Sequence, residues 1–265
     1  MKTIKLLYSF IILPICFLAL FSCDNEPVDF EPFNDPIIAS TDSYWPMAIN
    51  NTWTYDVTQD GQSITSSVLE LNGTEVIGGN TYFTVENFLS SAIAANGALD
   101  NLDLDTFVRQ EESVYFVRLG QLTADLQGLY RLTQDGYEYT ILRDNVDTGS
   151  TWTEAFEIET SFEPLSPTVP AIPGITANYT SEVEILERDM SLMVNGELFS
   201  PVIKAQQTLT VEFSDSGPGL PTTEVVSTYY FALDVGIIRV ESTVEDIDNN
   251  TTTTQVQELS SFTLN

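Results

Sequence analysis

From Asn51 onward, apolar and polar residues alternate one for one over many segments, and few folds accept that pattern. Trp53, Tyr55 and Val57 fall on one face, and Thr52, Thr54 and Asp56 on the other. Tyr137, Tyr139 and Ile141 alternate with Glu138 and Thr140, and Leu209, Val211 and Phe213 with Thr208, Thr210 and Glu212. Ile238, Val240, Ser242 and Val244 alternate with Arg239, Glu241 and Thr243. Successive side chains of a strand point to opposite faces, so the pattern predicts antiparallel strands with one face on a core and one in water. The supply of Thr, Val, Tyr and Phe suits such a pleated surface. Asp60-Gly61, Asp135-Gly136 and Asn195-Gly196 sit between alternating segments, and Gly78-Gly79-Asn80 precedes Tyr82. Gly, Asn and Asp accept the positive φ of tight turns, so hairpins are expected at each. The expectation is an all-β domain of about eleven to thirteen strands.

Helix signals are few. Ser90 to Asn96, ended by Gly97, suits about two helical turns. Leu119, Leu122, Leu126 and Leu129 have helical spacing, which fits a short helix or a loop packing its leucines under the sheet. Pro164, Pro167, Pro170 and Pro173 repeat every third residue, which fits a polyproline II ridge or a stiff loop that cannot join a sheet. Asn51-Thr52-Trp53-Thr54-Tyr55 is echoed by Ser150-Thr151-Trp152-Thr153-Glu154, and Val68-Leu69-Glu70 by Val183-Glu184-Ile185. Two related β-meanders would produce this echo, and so would the self-likeness of any Thr-rich sheet. In either case Trp53 and Trp152 are expected to be buried, each anchoring one half of the sheet.

The first residues carry an address. Lys2 and Lys5 precede an apolar run from Leu6 to Phe21, the layout of a secretory signal peptide. The run is short for a transmembrane anchor and contains Pro14. Leu20-Phe21-Ser22-Cys23 resembles a bacterial lipobox, which implies cleavage before Cys23 and acylation (palmitate) of its thiol and new amino group. At about 0.8 kcal/mol per buried CH₂, two or three acyl chains hold a protein on a membrane durably. The organisation expected is a signal peptide over 1–22, an acidic flexible tether over 23–43 and a single β domain over 44–265. Cys16 leaves with the signal and Cys23 is consumed by lipid, so no disulfide is available. Asp24 and Glu26, just after the lipidated position, resemble the surface-export signals of Bacteroidota lipoproteins. The resemblance implies an outer-membrane lipoprotein facing the cell exterior, with the periplasmic face as the alternative.

Three longer marks point the same way. Trp45-Pro46-Met47-Ala48-Ile49-Asn50-Asn51-Thr52-Trp53-Thr54-Tyr55 resembles the P-L-x-x-G-N-x-W-x-Y opening of a group of uncharacterised Bacteroidota lipoproteins. Gly149-Ser150-Thr151-Trp152 is similar to their G-D-x-W, and the segment from Tyr229 to Glu241 to their Y-Y-x-A-x-G-V-G ending. Asn50 and Asp234 replace two glycines of the pattern, and both residue types tolerate left-handed backbone. The resemblance implies a strongly curved antiparallel sheet, an open or half barrel, and brings no established activity with it.

Composition removes most catalytic chemistry. The chain has no His, which excludes a Ser-His-Asp triad, a Cys-His pair and an imidazole metal site. A formal charge of -30 excludes binding to phosphate backbones, so no nucleic-acid partner is expected. A two-carboxylate glycosidase needs no His, but among 39 acidic residues no pair is singled out. Lys204, the lysine outside the signal, lies in the strand-like run Pro201-Val202-Ile203-Lys204-Ala205 and is expected on an exposed face. Asp246, Asp248 and Asn250 offer calcium-type oxygens at loop positions 1, 3 and 5. Thr251 and Gln257 stand where an EF-hand needs Gly and Glu, so a solvated Asx-rich turn is the better reading. Asp100, Asp103 and Asp105 form a weaker second group. No cofactor and no metal site is expected. These readings converge on a monomeric, non-catalytic envelope lipoprotein that binds or scaffolds, with the membrane, an envelope protein, a glycan or a lipid as partner. The alternative is a carrier holding an apolar ligand or lipid in the concavity of its sheet.

Overall fold

The computed structural model describes residues 42–86, 100–103, 105–213, 223–246 and 251–265. Cys23, the signal segment, the tether as far as residue 41, the helix expected over 90–96 and the calcium candidates Asp248 and Asn250 lie outside the described residues. Every regular element among the described residues is a strand: β1 (Thr52–Gln59), β2 (Gln62–Ile77), β3 (Asn80–Glu86), β4 (Asp100–Asp103) and β5 (Thr106–Glu111). Then come β6 (Val114–Leu119), β7 (Leu122–Leu126), β8 (Tyr130–Gln134), β9 (Tyr137–Arg143) and β10 (Thr151–Pro164). The last five are β11 (Ile175–Val194), β12 (Glu197–Phe213), β13 (Thr223–Ala232), β14 (Gly236–Asp246) and β15 (Thr251–Thr263). All belong to one antiparallel sheet of order β4-β7-β8-β10-β11-β12-β13-β14-β15-β1-β2-β3-β5-β6-β9.

That order explains the curvature. β6 pairs with β5 and β9, at one margin of the sheet. β7, which begins two residues after Gly120, pairs with β4 and β8 at the other margin. The steps from β4 to β5 and from β8 to β9 span the same gap, so three bent strands tie the two margins together. The sheet is therefore curled on itself without a closing ladder, as an open barrel. The bends also account for fifteen strands where fewer were expected.

Two glycines make the bends possible. A Cβ on Gly120 would lie 3.1 Å from Asp105 Cβ, and one on Gly136 only 2.4 Å from the Leu119 carbonyl oxygen. The hairpin expected at Asp135-Gly136 is thus a corner instead: β8 and β9 do not pair, and the glycine serves close backbone approach. True hairpins form at Asp60-Gly61 (φ 48° and 76°) and Asn195-Gly196 (φ 48° and 87°), with the paired positive φ that matches strand twist. Leu119 ends β6, and Leu122 and Leu126 lie on β7, all buried, while Leu129 is 40% exposed in a turn. Leu122 and Leu126, four apart, share one face of β7, the steps of three fall at the break before it and in the turn after it, and the helix alternative is overturned. Pro167, Pro170 and Pro173 occupy the loop after β10, which turns at Ser166–Val169 and is pinned where Tyr130 Oη donates to the Pro170 carbonyl at 2.8 Å. It is a stiff loop with a turn in it, not a continuous ridge.

Register pairing shows which residues share a face. Trp53 lies opposite Leu69, Val108 opposite Val117, Phe156 opposite Tyr179 and Ala205 opposite Tyr229. This face is buried by the curl, while Thr151, Thr153, Glu157 and Glu159 on the other face of β10 are exposed. Trp53 is fully buried and Trp152 is 8% exposed.

The sequence echo has a structural counterpart. Thr52 and Trp53 pair with Glu70 and Leu69, as Thr151 and Trp152 pair with Glu184 and Val183. Asn50 donates to the Leu71 carbonyl and Leu71 to that of Asn51, as Gly149 donates to Ile185 and Ile185 to Ser150. Asn50 and Gly149 hold the equivalent left-handed turn, at φ 68° and 83°. The two entrances share register and turn geometry, which a general likeness between Thr-rich strands does not require.

Candidate functional site

One end of the barrel is stoppered. Ser43, Tyr44, Trp45 and Met47 are buried ahead of β1. Ser43 exchanges bonds with Asp234, whose N–H donates to its carbonyl at 2.8 Å. Tyr44 N–H donates to Tyr115 Oη at 3.0 Å, and Tyr115 Oη donates to Asp144 Oδ2 at 2.9 Å. Ordered packing therefore reaches back to Ser43. The Trp45, Trp53 and Asp234-Val235-Gly236 marks meet here, against one another, as turn and core elements.

The margin between β9 and β10 is closed by side chains. Trp152 Nε1 donates to the Thr140 carbonyl at 3.2 Å, and the Thr140 N–H donates to Glu154 Oε2 at 2.9 Å. Both groups of an unpaired strand edge are thereby satisfied without a ladder. The Arg143 guanidinium lies 5.2 Å from the Trp152 ring centre. Burial raises the Glu154 carboxyl above its ordinary value, while the Thr140 bonds and the charge of Arg143 pull it back.

Beyond this seam a polar row crosses the otherwise apolar inner wall. Glu154 lies opposite Ser181 on β11, and Gln207 on β12 donates from Nε2 to Ser181 Oγ at 2.8 Å. Gln207 lies opposite Ser227 on β13, whose Oγ is 2.9 Å from that of Ser242 on β14. Ser242 faces Gln255 on β15, and Gln255 faces Gln59 on β1. Ser181, Gln207 and Ser227 are buried, whereas Ser242, Gln255 and Gln59 are half-buried, as are Val240 and Val244 beside them. Thr65, opposite Val57 on the same face, is exposed. The inner wall thus opens toward the end away from the stopper.

Aromatic rings flank the row. Tyr137 stacks on Tyr139 at 5.7 Å and lies 5.9 Å from Phe156, while Tyr229 stacks on Phe231 at 6.0 Å. Tyr139 is 4% exposed, and its hydroxyl has no hydrogen-bond partner among the described residues. Among the described residues, the buried side-chain polar atoms without a partner are Arg143 Nε and Arg239 Nε. Burial pushes the Tyr139 hydroxyl well above the ordinary phenol range, reinforced by the negative charge available to Tyr229 and Glu154. Burial pushes Tyr229 up to about 12, against a bond with Ser227. Tyr139, Tyr229 and Glu154 therefore stand near enough on the inner wall to act on one another electrostatically.

Glu138, which also raises Glu154, is engaged by Arg109 at 2.9 and 3.1 Å and by the Tyr82 hydroxyl on the convex face. Lys204 is half-buried on the convex face, its ammonium 5.5 Å from the Tyr230 ring centre. Asp246 ends β14, Asp100 and Asp103 lie on β4, and Asp105 is exposed beside Gly120. Among the described residues no three His, Cys, Asp or Glu side chains group as metal ligands. The polar row was missed from sequence, although Ser181, Gln207, Ser227 and Ser242 each stand between apolar residues two positions away.

No family model matches the chain, and no curated protein matches it. Two solved structures are similar in shape. One, assigned as a lipoprotein from Parabacteroides distasonis, has TM-score 0.46 at 8% identity, covering 83% of this chain and 98% of its own. The other, assigned as an exported protein with a YmcC-like fold from Bacteroides fragilis, has TM-score 0.41 at 9% identity with the same coverage. At these values neither likeness establishes a shared fold.

Proposed function

We propose that this protein is a non-catalytic lipoprotein of the outer membrane, anchored through acylated Cys23 and facing the cell exterior, whose β domain binds a ligand on its concave face. The polar row from Glu154 to Gln255 carries this reading. A wall meant only to fill a barrel is served by apolar side chains, whereas here Gln, Ser and Glu stand in apolar register and bond to one another and to Thr140. Aromatic side chains with a few convergent polar groups are the usual lining of a small-molecule site. The row also separates the two roles open at the outset: it supports a carrier over a scaffold. Purification of the native protein from membranes, followed by mass spectrometry of extracted small molecules, tests binding. Co-purified ligand at near one per chain is expected, lost when Gln207→Leu and Ser227→Val close the row. Cys23→Ser is expected to move the protein from the membrane to the soluble fraction. Retention with an uncleaved signal would replace the lipid anchor by a helical one.

A further inference from the structure

Resting on the anchoring part of that reading, we propose that the stoppered end of the barrel rests on the membrane, its β15–β1–β2 side presenting aliphatic side chains to a neutral lipid surface. The placement of exposed apolar residues argues for it. Among the described residues the four most exposed large apolar side chains are Val76 at 68%, Leu198 at 63%, Met193 at 58% and Ile49 at 45%. All four stand at the stoppered end. Ile49 precedes Asn50, whose N–H donates to the Leu71 carbonyl, and Val76 lies beyond Leu71 on β2. Met193 faces Leu198 across the tip of the β11–β12 hairpin. Asn195 in that tip donates to the Leu259 carbonyl at 3.0 Å and to Asp56 Oδ2 at 3.4 Å, so the tip lies over β15 and β1. Phe262 on β15 and Val68 on β2, also exposed, lie opposite Trp53 and Thr54 on β1. The other exposed large apolar residues sit at the opposite end: Ile64 near the β1–β2 turn, and Leu129 and Leu165, joined where the Leu165 N–H donates to the Leu129 carbonyl. Single exposed apolar residues are ordinary, whereas a gathering on one side of one end marks a contact surface.

Where the chain enters the barrel selects the occupant. Asp42 is exposed, and Ser43 after it is fixed to Asp234 at this same end. Asp42 lies nineteen residues after Cys23, and a coil of that length averages about 25 Å end to end. The far end of the barrel is a β10 length beyond, fourteen residues or about 45 Å. An acyl anchor at Cys23 therefore keeps the stoppered end nearer the bilayer. It holds the apolar side chains there at high effective concentration, so a contact too weak to act alone suffices. Charge decides the side and the lipid. The acidic turns of this end, Glu111-Glu112 and Asp144 to Asp147, belong to β5–β6 and β9–β10, beyond β3 in the sheet order. A formal charge of -30 disfavours both an anionic surface and a second copy of this chain, and favours a neutral bilayer.

Cys16 leaves with the signal and acylation consumes Cys23, so a cysteine introduced at 193 or 129 is the single free thiol of the mature chain. Met193→Cys and Leu129→Cys, each carrying the fluorophore NBD, are reconstituted as acylated chain in phosphatidylcholine vesicles with and without doxyl-labelled lipid. Quenching by the doxyl lipid is expected to be several-fold stronger at 193 than at 129. Val76→Ser with Leu198→Ser is expected to bring the two positions together while leaving the urea midpoint unchanged. Replacing half of the lipid by phosphatidylglycerol is expected to weaken quenching at 193. In chain that floats with the vesicles, equal quenching at both positions, or more at 129, overturns the orientation and leaves the anchor standing. Quenching at 193 that survives the double substitution, or that rises with phosphatidylglycerol, overturns the apolar contact with neutral lipid. A probe at 193 shielded only at high chain density, with or without doxyl lipid, makes a second copy the occupant and also overturns the proposal. Chain of unacylated mass that stays off the vesicles overturns the anchor, and this proposal with it.

Discussion

The Trp53 indole N–H donates to the Val235 carbonyl at 2.6 Å, across 182 residues of sequence. The next residue, Gly236, lies flat against the same ring: a Cβ there would stand 3.0 Å from Trp53 Nε1 and 3.3 Å from Trp45 Cδ1. Its φ of 112° is also closed to side-chain-bearing residues. Gly236→Ala is expected to destabilise the domain by about 3 kcal/mol, from strain and overpacking together. Gly61→Ala meets nothing within 4 Å and carries only the backbone term, about 1 kcal/mol. Urea melts of the two variants give the comparison. Equal losses would mean that the indole moves aside freely.

Trp53 and Trp152 open equivalent hairpins, and each donates to a carbonyl off its own hairpin, Trp53 to the turn between β13 and β14 and Trp152 across the seam to β9. Replacing either by Ala is expected to cost about 3–5 kcal/mol. Phe in their place keeps much of the volume but leaves the carbonyl unpaired, for a loss of about 1–3 kcal/mol. Chemical denaturation monitored by circular dichroism reads both. A Trp152→Ala variant within a few tenths of a kcal/mol of the parent would show that the seam is not held by this residue.

At the corner, Gly136→Ala places a methyl 2.4 Å from the Leu119 carbonyl and 2.5 Å from Gly120 carbonyl carbon, where only backbone can yield. The expected result is a loss above about 3 kcal/mol or failure to fold. Asp135→Asn leaves the corner geometry alone and is expected to be nearly neutral. If Gly136→Ala melts like the parent, the bent strands are looser than the packing indicates.

Period-two alternation made the strands legible, because a side chain's face follows from its parity. It could not show which strands are neighbours. Asp135-Gly136 has the composition of a hairpin turn, and the difference between turning back and crossing a corner lies in contact with Leu119 and Gly120, distant in sequence. The Leu119–Leu129 stripe was ambiguous for a related reason: its Leu122–Leu126 step of four is even and suits a strand as well as a helix, and the steps of three fall where the strand breaks and turns. The polar row depends on register across six strands. Ser181, Gln207, Ser227 and Ser242 each look like an ordinary Thr/Ser-rich strand position until pairing lines them up.

Glu154 yields a pH signature. Its carboxyl is raised by burial above the ordinary 4.5, so the native state holds its proton at a higher pH than the unfolded chain does. Between the two values the unfolded chain binds fewer protons, and stability falls as pH rises. The contribution is complete below about pH 4 and is lost as pH climbs through the raised native value. Glu154→Gln removes the titration but keeps a side-chain oxygen to accept the Thr140 N–H. The variant is therefore expected to match the parent near pH 4 and to exceed it in stability at pH 7. The other 38 acidic residues also titrate, so the measurement is the difference between the two proteins at each pH, from urea midpoints. A variant less stable than the parent at pH 7 would show that attraction between the carboxylate and Arg143 outweighs the cost of burying it.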